Sequence, residues 1–170
     1  MSKANPEAKE TDTSALKLKP VVATSVFESA IIDADIDTVF KAIRPVKFEF
    51  ASNVKETKTS DPDGLVGGNR EITYTDKTKQ TVQILEISDV NNSVTFGLIA
   101  SEPPVGYTSA THSIRLYKVT TTNQTFITFN SDFSNDATVQ IIQDSKWKKR
   151  EFFKDLAKFV CKPVKKKQII

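Results

Sequence analysis

Alternating apolar and polar positions run through the middle of the chain. The segment REITYT, residues 70–75, alternates in this way and is rich in β-branched and aromatic residues, which is typical of a strand. Comparable segments follow, and short turn-like stretches separate them: residues 79–87, 94–100, 107–119 and 124–133. Consecutive strands at this spacing predict hairpins, and therefore an antiparallel meander.

Helical periodicity appears at both ends of this meander. VVATSVFESAII predicts a first strand from Val21, and DADIDTVFKAIR then changes to a helical period with Asp33 or Asp35 as the N-cap. Pro45 ends that helix, VKFEFASNV predicts a second short helix, and KETKTSDPDG turns the chain. Residues 138–160 form one long helical pattern at the end of the fold.

The segment GLVGGNREITYTD contains three of the five glycines of the chain. Its Gly67-Gly68 pair lacks the spacing of a phosphate-binding loop, and a strand rather than a helix follows it. We therefore interpret the pair as a turn or bulge that leads into the strand at Arg70.

These elements predict an α+β domain whose terminal helix buries its apolar stripe against the sheet. With 170 residues, 38% of them apolar, the chain can bury one sizeable core. Residues 1–20 are polar and without periodicity, and they predict a flexible tail. The domain then spans residues 21–160, and residues 161–170 form a basic tail.

Basic residues are concentrated near the C-terminus. Residues 146–167 hold ten Lys or Arg against two acidic residues, a charge of +8, so a net charge of +3 leaves about −5 for the remainder. Such a run is either a solvated face or a weak contact with an anionic membrane, and we expect no nucleic-acid partner and a monomer. No run is long enough to cross a bilayer, no secretory signal is visible, and Cys161 is the only cysteine. These features predict a cytoplasmic protein.

Motifs of enzymes, cofactors and metals are missing. The chain contains no H-E-x-x-H, no G-x-S-x-G and no cluster of Cys and His with ligand spacing, so we predict no catalytic residue, no cofactor and no metal. His112 is the only histidine, and it shares a strand face with Ala110, Ile114 and Leu116. It is either a hydrogen-bonded structural residue or a general base.

Four segments resemble those of a known superfamily, in the same order: IDADIDTVFKAIR, VGGNREITY, LEISDVNNSVTFGL and GYTSATHSIRL. From about Val22 to Val160 the chain looks like the helix-grip superfamily of START domains and the birch-pollen allergen (SRPBCC), and most like its polyketide cyclase/dehydrase group. The resemblance implies a seven-stranded antiparallel sheet curved around the C-terminal helix, with two short helices after the first strand. It also implies an apolar cavity for a lipid-like or polycyclic molecule, with the glycine turn at a sheet corner beside its mouth.

Strand phase selects the side chains that point toward such a cavity. Leu85 and Ile87 alternate with polar residues, which places Gln83 on their inward face. The strand that contains His112 has two conflicting phases, because its pattern buries Ala110 whereas the resemblance turns Tyr107, Ser109 and Thr111 inward. The predicted ligand-binding residues are Ile72, Tyr74, Gln83, Leu85, Phe96, Leu98, Tyr107, Ser109, Phe129, Lys149 and Phe153.

Lys149 is an anomaly of the terminal helix. At 100° per residue it falls at the centre of an apolar stripe formed by Val139, Ile142, Phe153, Leu156 and Val160. Either the stripe leaves the core there and the lysine extends to water along its aliphatic stem, or the helix covers a cavity and the ammonium faces the anionic end of a ligand.

The sequence predicts binding or transport of a hydrophobic small molecule inside the cell. One alternative is a cofactor-free enzyme of the cyclase or dehydratase type, in which a Tyr, Arg or His in the cavity polarises a ketone. Another is a protein-interaction module, similar to a chaperone cofactor, that uses the basic terminal helix. The superfamily includes all of these, so the fold does not decide among them.

Overall fold

The computed structural model describes residues 24–61 and 64–161, in which seven strands form one antiparallel sheet. The elements in chain order are β1 (Ser25–Ile32), α1 (Ile36–Ile43), β2 (Val54–Thr59), β3 (Asn69–Tyr74), β4 (Lys79–Ser88), β5 (Ser93–Glu102), β6 (Ala110–Val119), β7 (Gln124–Phe133) and α2 (Val139–Val160). The order in the sheet is β1-β7-β6-β5-β4-β3-β2, so that β2 to β7 form a meander and β1 pairs with β7. The predicted α+β architecture is confirmed.

Helix α1 begins after Asp35, one of the two N-caps that the sequence predicted. The Asp35 carboxylate accepts a hydrogen bond from the backbone N–H of Thr38 at 2.9 Å, which satisfies a donor that has no partner inside the helix. Val39, Phe40 and Ile43 are buried on one face of the helix, at the spacing of a helical period. This face packs into the main hydrophobic core.

The second short helix predicted after Pro45 does not form. Val46 and Phe48 adopt positive φ angles of 54° and 53°, a left-handed conformation that a right-handed helix cannot contain. The segment instead makes successive turns, and the Phe48 ring packs 5.5 Å from that of Phe96 and 5.3 Å from that of Phe152. Burial of Phe48 between these rings stabilises a backbone path that local propensity does not reveal.

Strand β2 lies in the segment that the sequence assigned to a turn. Its residues VKETKT show no alternation of apolar and polar side chains, and each of them is half-buried or exposed. The strand is at one edge of the sheet and pairs with β3 alone, so most of its side chains remain in water. Charged residues are common at such edges because they discourage pairing with another chain.

Two residues of β4 that the sequence placed inward lie on the outer face, because a β-bulge interrupts the alternation of the strand. In the pairing of β4 with β5, Ile84 lies opposite Phe96 and Glu86 opposite Thr95, so Leu85 is an extra residue. Val82 and Ile84 are buried, whereas Leu85 is 46% exposed. The Gln83 amide points to the outer face and donates a hydrogen bond to the backbone oxygen of Gly67 at 3.2 Å. The inward placement of Gln83 and Leu85 was therefore wrong.

The Gly67-Gly68 pair forms the predicted turn. Gly67 has a φ angle of 86°. Its N–H donates a hydrogen bond to the backbone oxygen of Ile84 at 2.7 Å, and the N–H of Ile84 donates one to the backbone oxygen of Gly68 at 2.9 Å. A Cβ added at Gly68 would lie 2.0 Å from Oδ1 of Asp61. The Asp61 carboxylate in turn accepts a hydrogen bond from the fully buried guanidinium of Arg70 at 2.8 Å. Any larger residue at position 68 would therefore displace the Asp61 carboxylate from this ion pair.

Helix α2 crosses the inner face of the sheet between two hydrophobic clusters. Phe152, Phe153 and Leu156 belong to the larger cluster, and Ile142 belongs to a smaller one that also contains Val26. The helix begins after Thr138, whose side chain caps it, and Val139 is 52% exposed, so its place in the predicted stripe was wrong. Within the described residues, no helix has both the length and the apolar character needed to cross a membrane.

Candidate functional site

A cavity of about 400 Å³ separates α2 from the inner face of the sheet. Apolar residues from both hydrophobic clusters line it, and phenylalanine rings contribute much of the wall. The lining phenylalanines are Phe48, Phe96, Phe129, Phe133 and Phe152. The domain is therefore hollow at the place where the terminal helix covers the sheet.

Polar and exposed lining residues mark the mouth of the cavity. Thr75 and Asp76 come from the turn between β3 and β4, Gly106 from the loop between β5 and β6, and Asp144 and Lys148 from the first half of α2. Asp144 and Lys148 form an ion pair at 2.7 Å across one helical turn. The opening therefore lies between these two loops and the helix.

Lys149 lies in the wall of the cavity. Its side chain is only 4% exposed, and its Nζ donates hydrogen bonds to Oγ of Ser131 on β7 and, at 3.0 Å, to Oγ of Ser145 one helical turn earlier. The Nζ also lies 4.3 Å from the centre of the Phe129 ring, within the range of a cation–π contact. The lysine therefore does not extend to the outer surface, and the first of its two interpretations was wrong.

The surroundings of Lys149 weaken its hold on a proton. Burial lowers the pKa of its ammonium to about 8, and the charge of Glu28 on β1 opposes this effect only in part. Glu28 is itself bonded to Arg150, with two contacts of 3.3 Å. No carboxylate among the described residues forms an ion pair with Lys149, so its partners are two hydroxyl groups and an aromatic ring.

His112 shares one hydroxyl group with Lys149. Its Nδ1 lies 2.6 Å from Oγ of Ser131, and its ring packs 5.2 Å from that of Phe96. Burial is the main cause that lowers the pKa of His112 to about 3, and the positive charge of Lys149 acts in the same direction. The imidazole is therefore neutral at pH 7.

The hydrogen bond that Lys149 donates helps to determine which atoms of Ser131 and His112 donate and which accept. Lys149 donates to Oγ of Ser131, and Nδ1 of His112 is the only acceptor for the Ser131 hydroxyl hydrogen among the described residues. That hydrogen therefore points to Nδ1, and the ring hydrogen sits on Nε2. Nε2 has no hydrogen-bond partner among the described residues and is not a buried atom, and His112 lines the cavity. An N–H donor is thus open to the cavity beside the ammonium of Lys149.

Two tyrosines add further polar groups. The hydroxyl of Tyr74 donates to Oε1 of Gln80 at 3.2 Å, and burial raises the pKa of Tyr74 to about 12. The Tyr107 ring packs edge-on against Phe133, with 5.1 Å between centres, and burial also raises its pKa. Both phenols remain protonated at pH 7 and can donate or accept a hydrogen bond.

Most of the predicted ligand-binding residues line the cavity. The lining includes Ile72, Tyr74, Phe96, Leu98, Tyr107, Phe129 and Lys149. Gln83 and Leu85 lie on the outer face, and Phe153 is buried in the core away from the cavity. Ser109 is exposed, and its N–H donates to Oγ of Ser134 at 2.9 Å.

Strand β6 buries the residues that its hydrophobic pattern predicted, and not those that the resemblance implied. Ala110, Ile114 and Leu116 are buried, His112 lines the cavity beside them, and Thr111 is exposed. Tyr107 reaches the cavity from the loop before β6 rather than from the strand. The inward placement of Ser109 and Thr111 that the resemblance implied was wrong.

Ser131 is the residue at the centre of the site that the sequence analysis missed. It lies in β7 on the same phase as Ile127, Phe129 and Phe133, so simple alternation places it inward. It is fully buried behind His112 and Lys149 and does not line the cavity. Ser131 therefore orients the two side chains, and a bound molecule would meet those side chains rather than the serine.

The glycine turn is not beside the mouth. Gly67 and Gly68 precede β3, whereas the mouth lies past the other end of that strand, after Tyr74. The expected position of the sheet corner was therefore wrong. Within residues 24–61 and 64–161, no group of His, Cys, Asp and Glu side chains is arranged to hold a metal ion.

Comparisons with known proteins identify the fold. No protein-family model matches the sequence, and a comparison with curated proteins gave no match. Among solved structures, a structural-genomics protein from Nitrosospira multiformis matches with a TM-score of 0.69 at 20% identity, over 78% of this chain and 93% of that one.

Two further structures agree with this result. The protein Ara h 8.0201 matches with a TM-score of 0.67 at 13% identity, over 80% of this chain and 96% of that one. The protein XoxI from Bacillus cereus matches with a TM-score of 0.68 at 13% identity, over 81% of this chain and 95% of that one. At these identities the likeness shows a shared helix-grip fold, and it assigns no activity.

Proposed function

We propose that this protein binds a hydrophobic small molecule whose oxygen-bearing end, a carboxylate in the simplest case, contacts Lys149 inside the cavity. The single observation that carries this proposal is a buried ammonium in an apolar cavity wall with no carboxylate paired to it among the described residues. The free energy of burying such a charge is unfavourable unless it is compensated. A ligand anion would supply the missing compensation.

The size and lining of the cavity support a small molecule as the ligand. Its volume of about 400 Å³ lies within the range of small-molecule sites. The phenylalanine-rich wall suits an apolar body, while Lys149 and Nε2 of His112 offer two donors for one oxygen-bearing end. The resemblance to START and allergen-like proteins favours the same function. A cytoplasmic location and a monomeric state are part of the proposal and rest on the sequence.

The proposal is tested by comparing a medium-chain fatty acid with the alcohol of equal length. Lys149→Met keeps the aliphatic packing and removes the charge, so affinity for the acid should fall by about tenfold to a hundredfold, the loss of one charge-assisted hydrogen bond. Affinity for the alcohol should stay unchanged or rise, because no unpaired ammonium remains in the cavity.

Lys154→Met is the matched control for this comparison. Lys154 lies on the same helix, its side chain is 64% exposed and paired with Glu151, and it does not line the cavity. Its loss should change affinity for both ligands little. If Lys149→Met weakens acid and alcohol alike, Lys149 is a structural residue and the ligand does not contact it. If neither ligand binds the unaltered protein, the interaction-module alternative replaces the carrier.

A second candidate function is a cofactor-free enzyme of the cyclase or dehydratase type. The observation that favours it is the neutral His112, which shares the Ser131 hydroxyl with Lys149 in the same cavity. The N–H at Nε2 of His112 would hold a ketone oxygen while a neutral Lys149 removes an α proton. Deuterium exchange at the α carbon of a hydrophobic ketone, followed by NMR, tests this candidate. Exchange that Lys149→Met leaves unchanged would exclude Lys149 as the base.

A further inference from the structure

The Nζ of Lys149 is an amine in a place where an amine can react. It lies in the wall of an apolar cavity, its hydrogen-bond partners are hydroxyl groups, and no carboxylate pairs with it in the described part of the chain. A carboxylate partner would hold it as an ammonium ion. Desolvated lysines without such a partner are the type that attacks carbonyl compounds.

We infer that Lys149 captures hydrophobic aldehydes or ketones in this cavity as a covalent imine. This inference rests on the proposed function, because the cavity must first admit a hydrophobic ligand. It goes further by assigning a bond-forming role to Nζ and a carbonyl class of ligand to the site.

The step balances without an oxidant or reductant. The lone pair of neutral Nζ forms a bond to the carbonyl carbon, the π electrons of the carbonyl move to oxygen, and one proton passes from nitrogen to that oxygen. The lone pair of the nitrogen then forms the second carbon–nitrogen bond as the carbon–oxygen bond breaks, and the oxygen takes a second proton from solvent and leaves as water. The nitrogen returns its remaining proton to solvent. A C=N bond to Lys149 remains. The N–H at Nε2 of His112 is placed to hold the carbonyl oxygen during attack, because His112 and Lys149 are bonded to the same Oγ of Ser131.

The lowered pKa of Lys149 makes the reaction selective among the lysines. With a pKa of about 8, roughly one molecule in ten carries a neutral Nζ at pH 7. An ordinary lysine near 10.4 has about one neutral side chain in a few thousand. The neutral fraction of Lys149 is thus on the order of 200-fold larger than that of an ordinary lysine. This advantage applies before the cavity concentrates an apolar ligand.

The charged groups around Lys149 are consistent with this behaviour. His112 faces it from β6 and is neutral at pH 7, and Glu28 acts on it from β1 but is bonded to Arg150. Asp144 and Lys148 on α2 pair with one another at the mouth.

The test is reductive trapping with decanal. The full-length protein is mixed with one equivalent of decanal and cyanoborohydride at pH 7, and the alkylated lysine is located by peptide mass mapping. We expect one decyl group per chain, on Lys149, and protection by excess decanoic acid. Lys154→Met, on the same helix but outside the cavity lining, should label as the unaltered protein does, whereas Lys149→Met and Lys149→Arg should lose the label. Lys149→Arg keeps the positive charge, and circular dichroism confirms that each variant is folded.

Binding of decanol, measured by displacement of a fluorescent dye, separates the two proposals. If decanol binds and decanal labels the exposed lysines, or labels Lys149→Arg equally, the imine inference is overturned and the carrier proposal stands. If neither decanol nor decanoic acid binds, both proposals fall.

Discussion

Oγ of Ser131 lies 2.6 Å from Nδ1 of His112, and this contact determines how the only histidine of the chain takes part in the site. Lys149 donates to the same oxygen, and Nδ1 is the only acceptor for the Ser131 hydroxyl hydrogen among the described residues, so Nε2 is the donor that faces the cavity. The ring is thus held in one tautomer and one orientation by a side chain that the cavity itself does not reach.

We expect His112 to stay neutral in the folded protein throughout the physiological range. Because its pKa is lowered to about 3, the NMR signal of its ring should not titrate between about pH 5 and pH 8. His112 is the only histidine, so the signal needs no assignment. A midpoint near 6.5 would show that the ring is solvated and would contradict the site described above.

The same shift predicts how stability depends on pH. The unfolded chain takes up a proton at His112 near pH 6.5, whereas the folded chain does so only near pH 3. Stability should therefore fall as pH falls between these values, with a contribution of at most about 1.4 kcal/mol per pH unit. In urea unfolding, His112→Gln should show a smaller loss over this interval. Carboxylates that titrate in the same interval affect both proteins alike, and equal slopes would contradict the prediction.

Replacing Ser131 should cost more stability than replacing Ser145. Ser131→Ala removes a fully buried hydroxyl that bonds both His112 and Lys149, and leaving buried polar groups unsatisfied costs about 1–3 kcal/mol each. Ser145→Ala is the matched control, because Ser145 is half-buried at the cavity, where water can replace its hydroxyl. Urea unfolding of both variants measures the difference. Equal losses would mean that Ser131 has no special role.

Gly68→Ala should destabilise the protein through Asp61. The added Cβ would lie 2.0 Å from Oδ1 of Asp61, which also accepts a hydrogen bond from Arg70. The carboxylate must therefore move to relieve the overlap, and this movement weakens the ion pair between Asp61 and Arg70. Overpacking of this kind costs about 1–3 kcal/mol. In an Asp61→Ala background the obstructing carboxylate is gone, and Gly68→Ala should then cost much less. Thermal unfolding of the two single variants and the double variant measures this coupling, and additive effects would contradict it.

The basic C-terminal tail lies outside the described residues, and its contact with membranes remains a prediction. If Lys162 and residues 165–167 bind anionic lipid, deletion of residues 162–170 should weaken binding to anionic vesicles, and salt should weaken it further. Trp147 is the only tryptophan and is 61% exposed on α2, so its fluorescence can report whether the helix also touches the vesicle. Equal binding to neutral vesicles, or no effect of the deletion, would indicate a solvated tail.

The sequence by itself determined the elements whose residues are patterned locally. The alternation in β5 and β7 and the capping signal at Asp35 were enough to predict a meander and α1, and the long terminal helix was predicted to within one residue of its start. Alternation also placed Phe96 and Phe129 in the cavity wall, and helical periodicity identified Lys149 as an anomaly. These features depend on neighbouring residues of the same element, which the sequence contains directly.

Only the tertiary structure decided the features that depend on contacts between distant segments. The bulge at Leu85 arises in the pairing of β4 with β5 and reverses the phase of that strand, and Phe48 replaces a predicted helix with turns because its ring packs against Phe96 and Phe152. The edge strand β2 exists because β3 offers it a partner. The meeting of Lys149, Ser131 and His112 joins α2, β7 and β6, and no local pattern contains the distance between a helix and the strands that it covers.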